Sequence, residues 1–250
     1  MGASEASEEN IAVFESFRSC SFPLTEEYIH GAESSLSGLF EQFQIKELQF
    51  HWCGLTSSCC DDLCSVITTH HSLTTLDLSH NALGDSGIHL LCEGLRHPTC
   101  ALQELGLLGC GLTSSCCDDL RSVITTNRSL TSLDLSHNAL EDSGIHLLCE
   151  GLRQPTCTLQ KLSLWNCALT SSCCDDLCSV ITTNRSLTRL DLSCNDLQDC
   201  AEKLEMCVRP TLELLVNPAI YHLQALLPVV MAELTIKSDT STSVVKFCQQ

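Results

Sequence analysis

The sequence predicts an α/β solenoid, an open horseshoe with parallel strands on the concave face and helices on the convex face. The first observation behind this is self-similarity. The segment CGLTSSCCDDLCSVITT at Cys53 returns at Cys110 with Arg121 in place of cysteine, and at Cys167 with Ala168 in place of glycine, each step being 57 residues. Residues 45–101 and 102–158 are identical at 44 of 57 positions, so the units are copies of one another. The second observation is that each unit holds two shorter modules of pattern L-x-x-L-x-L-x-x-(C or N)-x-L. They start at Ile45, Leu73, Leu102, Leu130, Leu159 and Leu187, separated alternately by 28 and 29 residues. The third is composition: 44% of the 250 residues are hydrophobic and only 4% aromatic, so the core is built from leucine.

Each module reads as strand, turn, helix, turn. In L-x-x-L-x-L the fourth and sixth residues, such as Leu76 and Leu78, alternate with a polar residue, Asp77, which is the period of a strand with one buried face. The ninth position is cysteine in one kind of module (Cys53, Cys110, Cys167) and asparagine in the other (Asn81, Asn138, Asn195). Buried just past the strand, an amide satisfies the turning backbone and a thiol fills a small apolar gap. The chain then returns by a helix. SSCCDDLCSVITT places Ser58 three residues before Asp61, a capping-box-like start, and DSGIHLLCEGLRHP opens on Asp85 and stops at Pro98. Ile88, Leu91 and Leu95 share one face of that helix. Strands pair at about 4.8 Å and helices pack at about 8–10 Å, so the stack curves with the strands inside.

Three regions follow. Residues 45–200 hold the six modules. Residues 1–44 carry a faint echo of the pattern at Phe14, Phe17, Phe22 and Leu24 and read as a divergent cap over the first strand. Residues 201–250 read as a degenerate repeat at TLELLVNPAI, a helical cap interrupted by Pro228, and a loose tail from Lys237.

The alternating modules, cysteine in one and asparagine in the other, resemble the ribonuclease-inhibitor subfamily of leucine-rich repeats. LTSSCCDDLCSVITTNRSLTRLDLS and NALGDSGIHLLCEGLRHPTC are most similar to the repeat domain of the pyrin-containing NOD-like receptors of cytosolic innate immunity. The resemblance covers residues 45–200. It implies a non-enzymatic, cytosolic protein-interaction module linked to inflammasome-type signalling. The NTPase domain of those receptors is not represented: no G-x-x-x-x-G-K-[ST] occurs in the sequence, which resembles a free-standing repeat fragment, isoform or duplicated remnant. Ribonuclease inhibitors, also acidic and rich in cysteine, imply the alternative of an inhibitor of a basic enzyme, but they have roughly twice as many repeats.

Charge and cysteine content narrow the chemistry further. A net charge of −18, from 31 acidic and 13 basic residues, disfavours nucleic acid and anionic membrane. Twenty cysteines would suit a secreted disulfide framework, but the start MGASEASEENIAVFES has no secretory pattern, so a reducing cytoplasm is expected. The sequons at Asn127 and Asn184 then read as copied repeat positions. Cys60-x3-Cys64 and Cys174-x3-Cys178 suggest zinc, but Arg121 breaks the pair in the middle copy, and cysteine as a small hydrophobe is the expected role, as for the adjacent pairs Cys59–Cys60, Cys116–Cys117 and Cys173–Cys174. Asp61 and Asp62 suit a helix N-terminus. His51, His70 and His71 read as solvated. No metal, cofactor or catalytic set is expected.

Strand alternation assigns the concave side to Gln49, His51, Asp77, Ser79, Leu108, Asp134, Ser136, Ser163, Trp165, Asp191 and Ser193, with Trp52 at the strand edge. Asp77, Asp134 and Asp191 on alternate strands predict a row of charges about 10 Å apart. Tryptophan beside carboxylates suits a basic protein partner. Six strands about 20 Å long give roughly 600 Å², below the ~800 Å² per partner of a standard interface.

Overall fold

The computed structural model describes residues 46–197, 200–216, 237–239 and 242–246. Strands β1 (Glu47–Gln49), β2 (Thr75–Asp77), β3 (Glu104–Gly106), β4 (Ser132–Asp134), β5 (Lys161–Ser163), β6 (Arg189–Asp191) and β7 (Glu213–Leu215) alternate with helices α1 (Cys60–Thr69), α2 (Gly84–Leu95), α3 (Cys117–Thr126), α4 (Glu141–Leu152), α5 (Cys174–Thr183) and α6 (Cys200–Cys207). All seven strands are parallel and lie in sequence order in one sheet. The observed architecture is the predicted solenoid.

The register explains why leucine recurs. Leu48, Leu76, Leu105, Leu133, Leu162, Leu190 and Leu214 pair across neighbouring strands, and the first six are at most 2% exposed. The regular strands are only three residues long, yet the ladder continues beyond them. Thr75 N–H reaches Lys46 O, and Trp52 N–H reaches Ser79 O at 3.2 Å, so the paired backbone runs through about six residues. The seventh strand comes from the shortened repeat: Leu214 follows Leu190 by 24 residues, where earlier modules take 28 or 29.

The ninth-position residues stitch neighbouring modules together. Asn138 accepts the N–H groups of Cys110 and Leu112, both at 3.0 Å, and donates to Leu107 O and Leu135 O. Asn195 and Asn81 make corresponding bonds. Between them, the Cys110 and Cys167 thiols donate to Leu78 O and Leu135 O, each at 3.3 Å. A second ladder lies at the helix ends: Asn127 and Asn184, both buried, donate to Leu95 O and Leu152 O at 2.7 Å. These sequon asparagines are core groups, a role that the sequence pattern did not assign to them.

Several local expectations are corrected. The first helix of each unit does not open with a capping box: a 3-10 turn (Ser57–Cys59, Ser114–Cys116, Ser171–Cys173) precedes it, and Thr113 and Thr170 accept from Ser115 N–H and Ser172 N–H. Asp85 and Asp142 instead bind the next module, each accepting the backbone N–H and hydroxyl of Thr113 or Thr170. The cysteines are not uniformly thiols, since Cys174 and Cys200 form a disulfide and Cys59 is likewise disulfide-bonded. The segment from Lys237, expected as a tail, contains β8 (Lys237–Asp239) and β9 (Thr242–Lys246). β9 pairs in parallel with β1 and so extends the sheet at its N-terminal edge. The proposed caps at 1–44 and around Pro228 lie outside the described residues.

Candidate interaction surface on the concave face

Four rows of side chains cross the concave face, one position per strand. The first row, set by the register, is Glu47, Thr75, Glu104, Ser132, Lys161, Arg189 and Glu213. Alternation alone assigns these positions inward, but they were absent from the predicted set. They make the face polar in two senses, acidic toward β1 and β3 and basic at β5 and β6, where Arg189 pairs with Glu213 at 2.7 Å.

The second row holds Gln49, Asp77, Gly106, Asp134, Ser163 and Asp191. The three aspartates lie on alternate strands as predicted, but each also braces its own turn. One oxygen of Asp77, Asp134 and Asp191 accepts the N–H of Ser79, Ser136 or Ser193 at 2.9–3.0 Å. The other oxygen of Asp77 faces His51 Nε2 at 2.9 Å. Burial raises the Asp77 carboxyl, but the His51 and Ser79 bonds outweigh it and hold the group below the usual carboxylate range. Asp77 also leans over Gly106, where a Cβ would come within 2.7 Å of its carboxylate.

In the third row, Ser79 and Ser136 do not line the open face. They are 3% and 2% exposed, because each short side chain lies between longer ones of the neighbouring strands, Ser79 between His51 and Leu108 and Ser136 between Leu108 and Trp165. Ser136 Oγ lies 2.6 Å from Ser163 Oγ and accepts Trp165 N–H. His51, Leu108, Trp165 and Ser193 are half-buried in the same row.

The fourth row is the least expected part of the surface. Trp52, His80, Gly109, His137, Asn166 and Cys194 occupy equivalent turns, and all six have φ between +52° and +62°. A left-handed backbone costs about 1–2 kcal/mol for a residue with a Cβ, and here the strand and the buried asparagine or cysteine that follows hold it in place. The conformation throws these side chains onto one rim. Trp52, 52% exposed, stacks on His80 with ring centroids 4.2 Å apart and planes 6° from parallel. His137 stacks on Trp165 at 5.8 Å and lies 2.6 Å from the Asn166 amide. Gly109 separates the two stacks: a Cβ there would meet His80 Nδ1 at 3.0 Å and His137 Cδ2 at 3.6 Å. Burial, then the nearby His137 and His51, lower the affinity of His80 for a proton, which favours the neutral ring in the stack. The available signal was LSHN, which occurs at Leu78 and again at Leu135 and places a histidine in the rim position each time.

Among the described residues, no group of three or more His, Cys, Asp or Glu could hold a metal ion, and no helix is long and apolar enough to cross a membrane.

Comparison with known proteins agrees with this architecture. The family described as Leucine Rich repeat matches residues 69–92, 126–149 and 183–199, one match per 57-residue unit. The described residues between 46 and 216 form a leucine-rich-repeat solenoid. The chain is 55% identical over 155 residues to the human NACHT, LRR and PYD domains-containing protein 3, 47% identical over 156 residues to human protein 12 of that series, and 46% identical over 156 residues to human protein 14. Each alignment covers 62% of this chain, but only 14–15% of the relative. The leucine-rich repeats of this chain are therefore of the kind found in those proteins, and the shared part is a repeat module with no catalytic family indicated.

Proposed function

We propose that this chain is a non-enzymatic, cytosolic protein-interaction module of NOD-like-receptor-type innate immune signalling, binding a basic protein segment along the β1–β5 part of its concave face. The observation that carries the reading is the rim: two tryptophan–histidine stacks, with the carboxylates of Asp77 and Asp134 close enough to His80 to act on its charge. A flat aromatic surface beside carboxylates takes arginine or lysine side chains by stacking and charge together. The predominance of thiols over disulfides among the described cysteines, and the buried sequon asparagines, favour the cytosol. The relatives favour immune signalling over inhibition of a basic enzyme.

Affinity capture from cytosolic lysate, with the intact chain and a Trp52→Ala/Asp134→Lys/Trp165→Ala variant as baits, tests this. Trp52 is exposed, and Asp134 is half-buried and braces no more than its own turn, whereas Asp77 is left intact because it also holds His51 at 2.9 Å. The bound protein should be basic, should fall at least tenfold in the variant, and should elute with rising salt. Equal recovery by two baits with matching circular dichroism would place any binding elsewhere. A basic secretory-type enzyme as the captured species would instead support the inhibitor reading.

A further inference from the structure

The last pair of helices carries a chemistry that the earlier pairs lack. In the first pair, glycines of α2 let α1 approach closely: a Cβ on Gly87 would lie 2.9 Å from Cys60 Sγ, and one on Gly94 would lie 2.9 Å from Cys64 Sγ. In the second pair Gly144 meets Cys117 in the same way at 2.7 Å, and Gly151 meets the Arg121 side chain at 3.2 Å. The two glycines are seven residues apart, about two helical turns, and so share one face.

In the third pair the sequence positions of the two glycines hold Ala201 and Val208, and cysteines one residue earlier in the repeat face α5 instead. Helix α6 carries Cys200 and Cys207, again seven apart, against Cys174 and Cys178 of α5. The Cys174–Cys200 disulfide fixes the register, since Cys200 sits opposite Cys174 as Gly87 sits opposite Cys60. The same register sets Cys207 against Cys178, as Gly94 is set against Cys64. Cys178 is buried, while Cys207 is half-exposed.

We propose that Cys178 and Cys207 form a dithiol modification site that closes to a second disulfide when the protein meets a low-molecular-weight disulfide, so that α6 is held to α5 by two covalent bonds. The half-exposed Cys207 loses its proton and attacks the small disulfide, whose S–S bond breaks to release one thiol and leave a mixed disulfide on Cys207. The Cys178 thiolate then attacks the Cys207 sulfur and expels the second small thiol. Two protein thiols are oxidised, and one small disulfide is reduced to two thiols. Burial, reinforced by the neighbouring Cys207, pushes the Cys178 thiol up to about 11, so closure is slow at neutral pH and accelerates as pH rises. Because α6 leads into the edge strand β7, closure would fasten the C-terminal end of the sheet.

The test treats the full chain with glutathione and glutathione disulfide at about pH 7 and about pH 8.5, followed by acid quench, alkylation and tryptic mass mapping. Cleavage at Lys203 separates the two cysteines of α6, so residues 204–237 linked to 162–185 report the new bond, and 190–203 linked to 162–185 report Cys174–Cys200. The 204–237 linkage should appear with glutathione disulfide, form at least about tenfold faster at the higher pH, and vanish in Cys178→Ala while the other linkage remains. Amide exchange in α6 should slow by at least about tenfold on closure. Should Cys178→Ala not fold, fragmentation of the linked peptides of the intact chain should place the bond on Cys178 and not on Cys167, Cys173 or Cys174 of residues 162–185. Recovery of Cys207 only as alkylated thiol or glutathione adduct, or its linkage to a cysteine that survives Cys178→Ala, would overturn the proposal.

Discussion

At the scale of single residues, the ladder asparagines do the most for their size. Asn138 is 6% exposed and satisfies two N–H groups of one module and carbonyls of two modules, groups that water cannot reach. Asn138→Ala leaves them unpaired, and the cost of each orphaned group is about 1–3 kcal/mol. The variant is expected to lose about 3–4 kcal/mol in urea unfolding with an unchanged slope. A loss below about 1 kcal/mol would mean that water or relaxation replaces the amide. The sequence announced this residue by its period, and its role followed from the chemistry of an amide at a turn. Ser79 and Ser136 point to the concave side as alternation requires, but they are covered because their short side chains lie between the longer His51, Leu108 and Trp165 of neighbouring strands, which no single strand's sequence shows.

At the scale of helices and strands, close approach depends on the glycine faces of α2 and α4. A Cβ at Gly144 would lie 2.7 Å from Cys117 Sγ and 3.2 Å from the Ser114 backbone, so α4 has no room for a side chain there. Gly144→Ala should destabilise the protein by about 1–3 kcal/mol, as overpacking does, despite the better helix propensity of alanine. Adding Cys117→Ala should restore at least half of the loss, and additive effects in calorimetry would show that the sulfur is not the obstacle. Heptad-like apolar spacing made these helices legible. It gave no sign that Gly144 faces Cys117, because the meeting of the two joins residues 27 apart on different elements.

At the scale of the whole molecule, stability is distributed along the stack, since each module contacts chiefly its neighbours. Carboxylates contribute along its length. Asp176 of α5 bridges to His146 of α4 and to Arg153 just beyond it at 2.9 and 3.0 Å, and Asp119 of α3 bridges to His89 of α2 and to Arg96 just beyond it. Asp77, Asp85 and Asp176 are each raised by burial but held below the usual range by stronger hydrogen bonds or ion pairs. A carboxyl depressed in the folded state adds stability that is fully present above its unfolded value and is lost as pH falls through the folded value. The melting temperature should therefore be level near pH 6 and fall below about pH 4. Asp176→Asn should melt lower at pH 6 and lose less on acidification; an identical acid slope in the two proteins would show that Asp176 takes no part. The aspartates of DD at each helix start suit the helix dipole, as their position in the sequence suggests, but the second of each pair in α3 and α5 also fastens neighbouring helices.

The sequence by itself determined the class of fold, the number and order of the six regular modules, the leucine core and the alternation of asparagine with cysteine. Each is a periodic property, and a periodic chain can be read from local spacing alone. Tertiary structure decided what depends on residues brought together from different periods. It turned six equivalent left-handed turns into one rim, where Trp52 lies on His80 and Trp165 on His137; it completed a seventh strand from a repeat of irregular length; and it set Cys174 against Cys200. Copies of one unit carry the same local pattern, but a contact between copies depends on how strand spacing, helix spacing and the missing Cβ of a glycine bring two faces together.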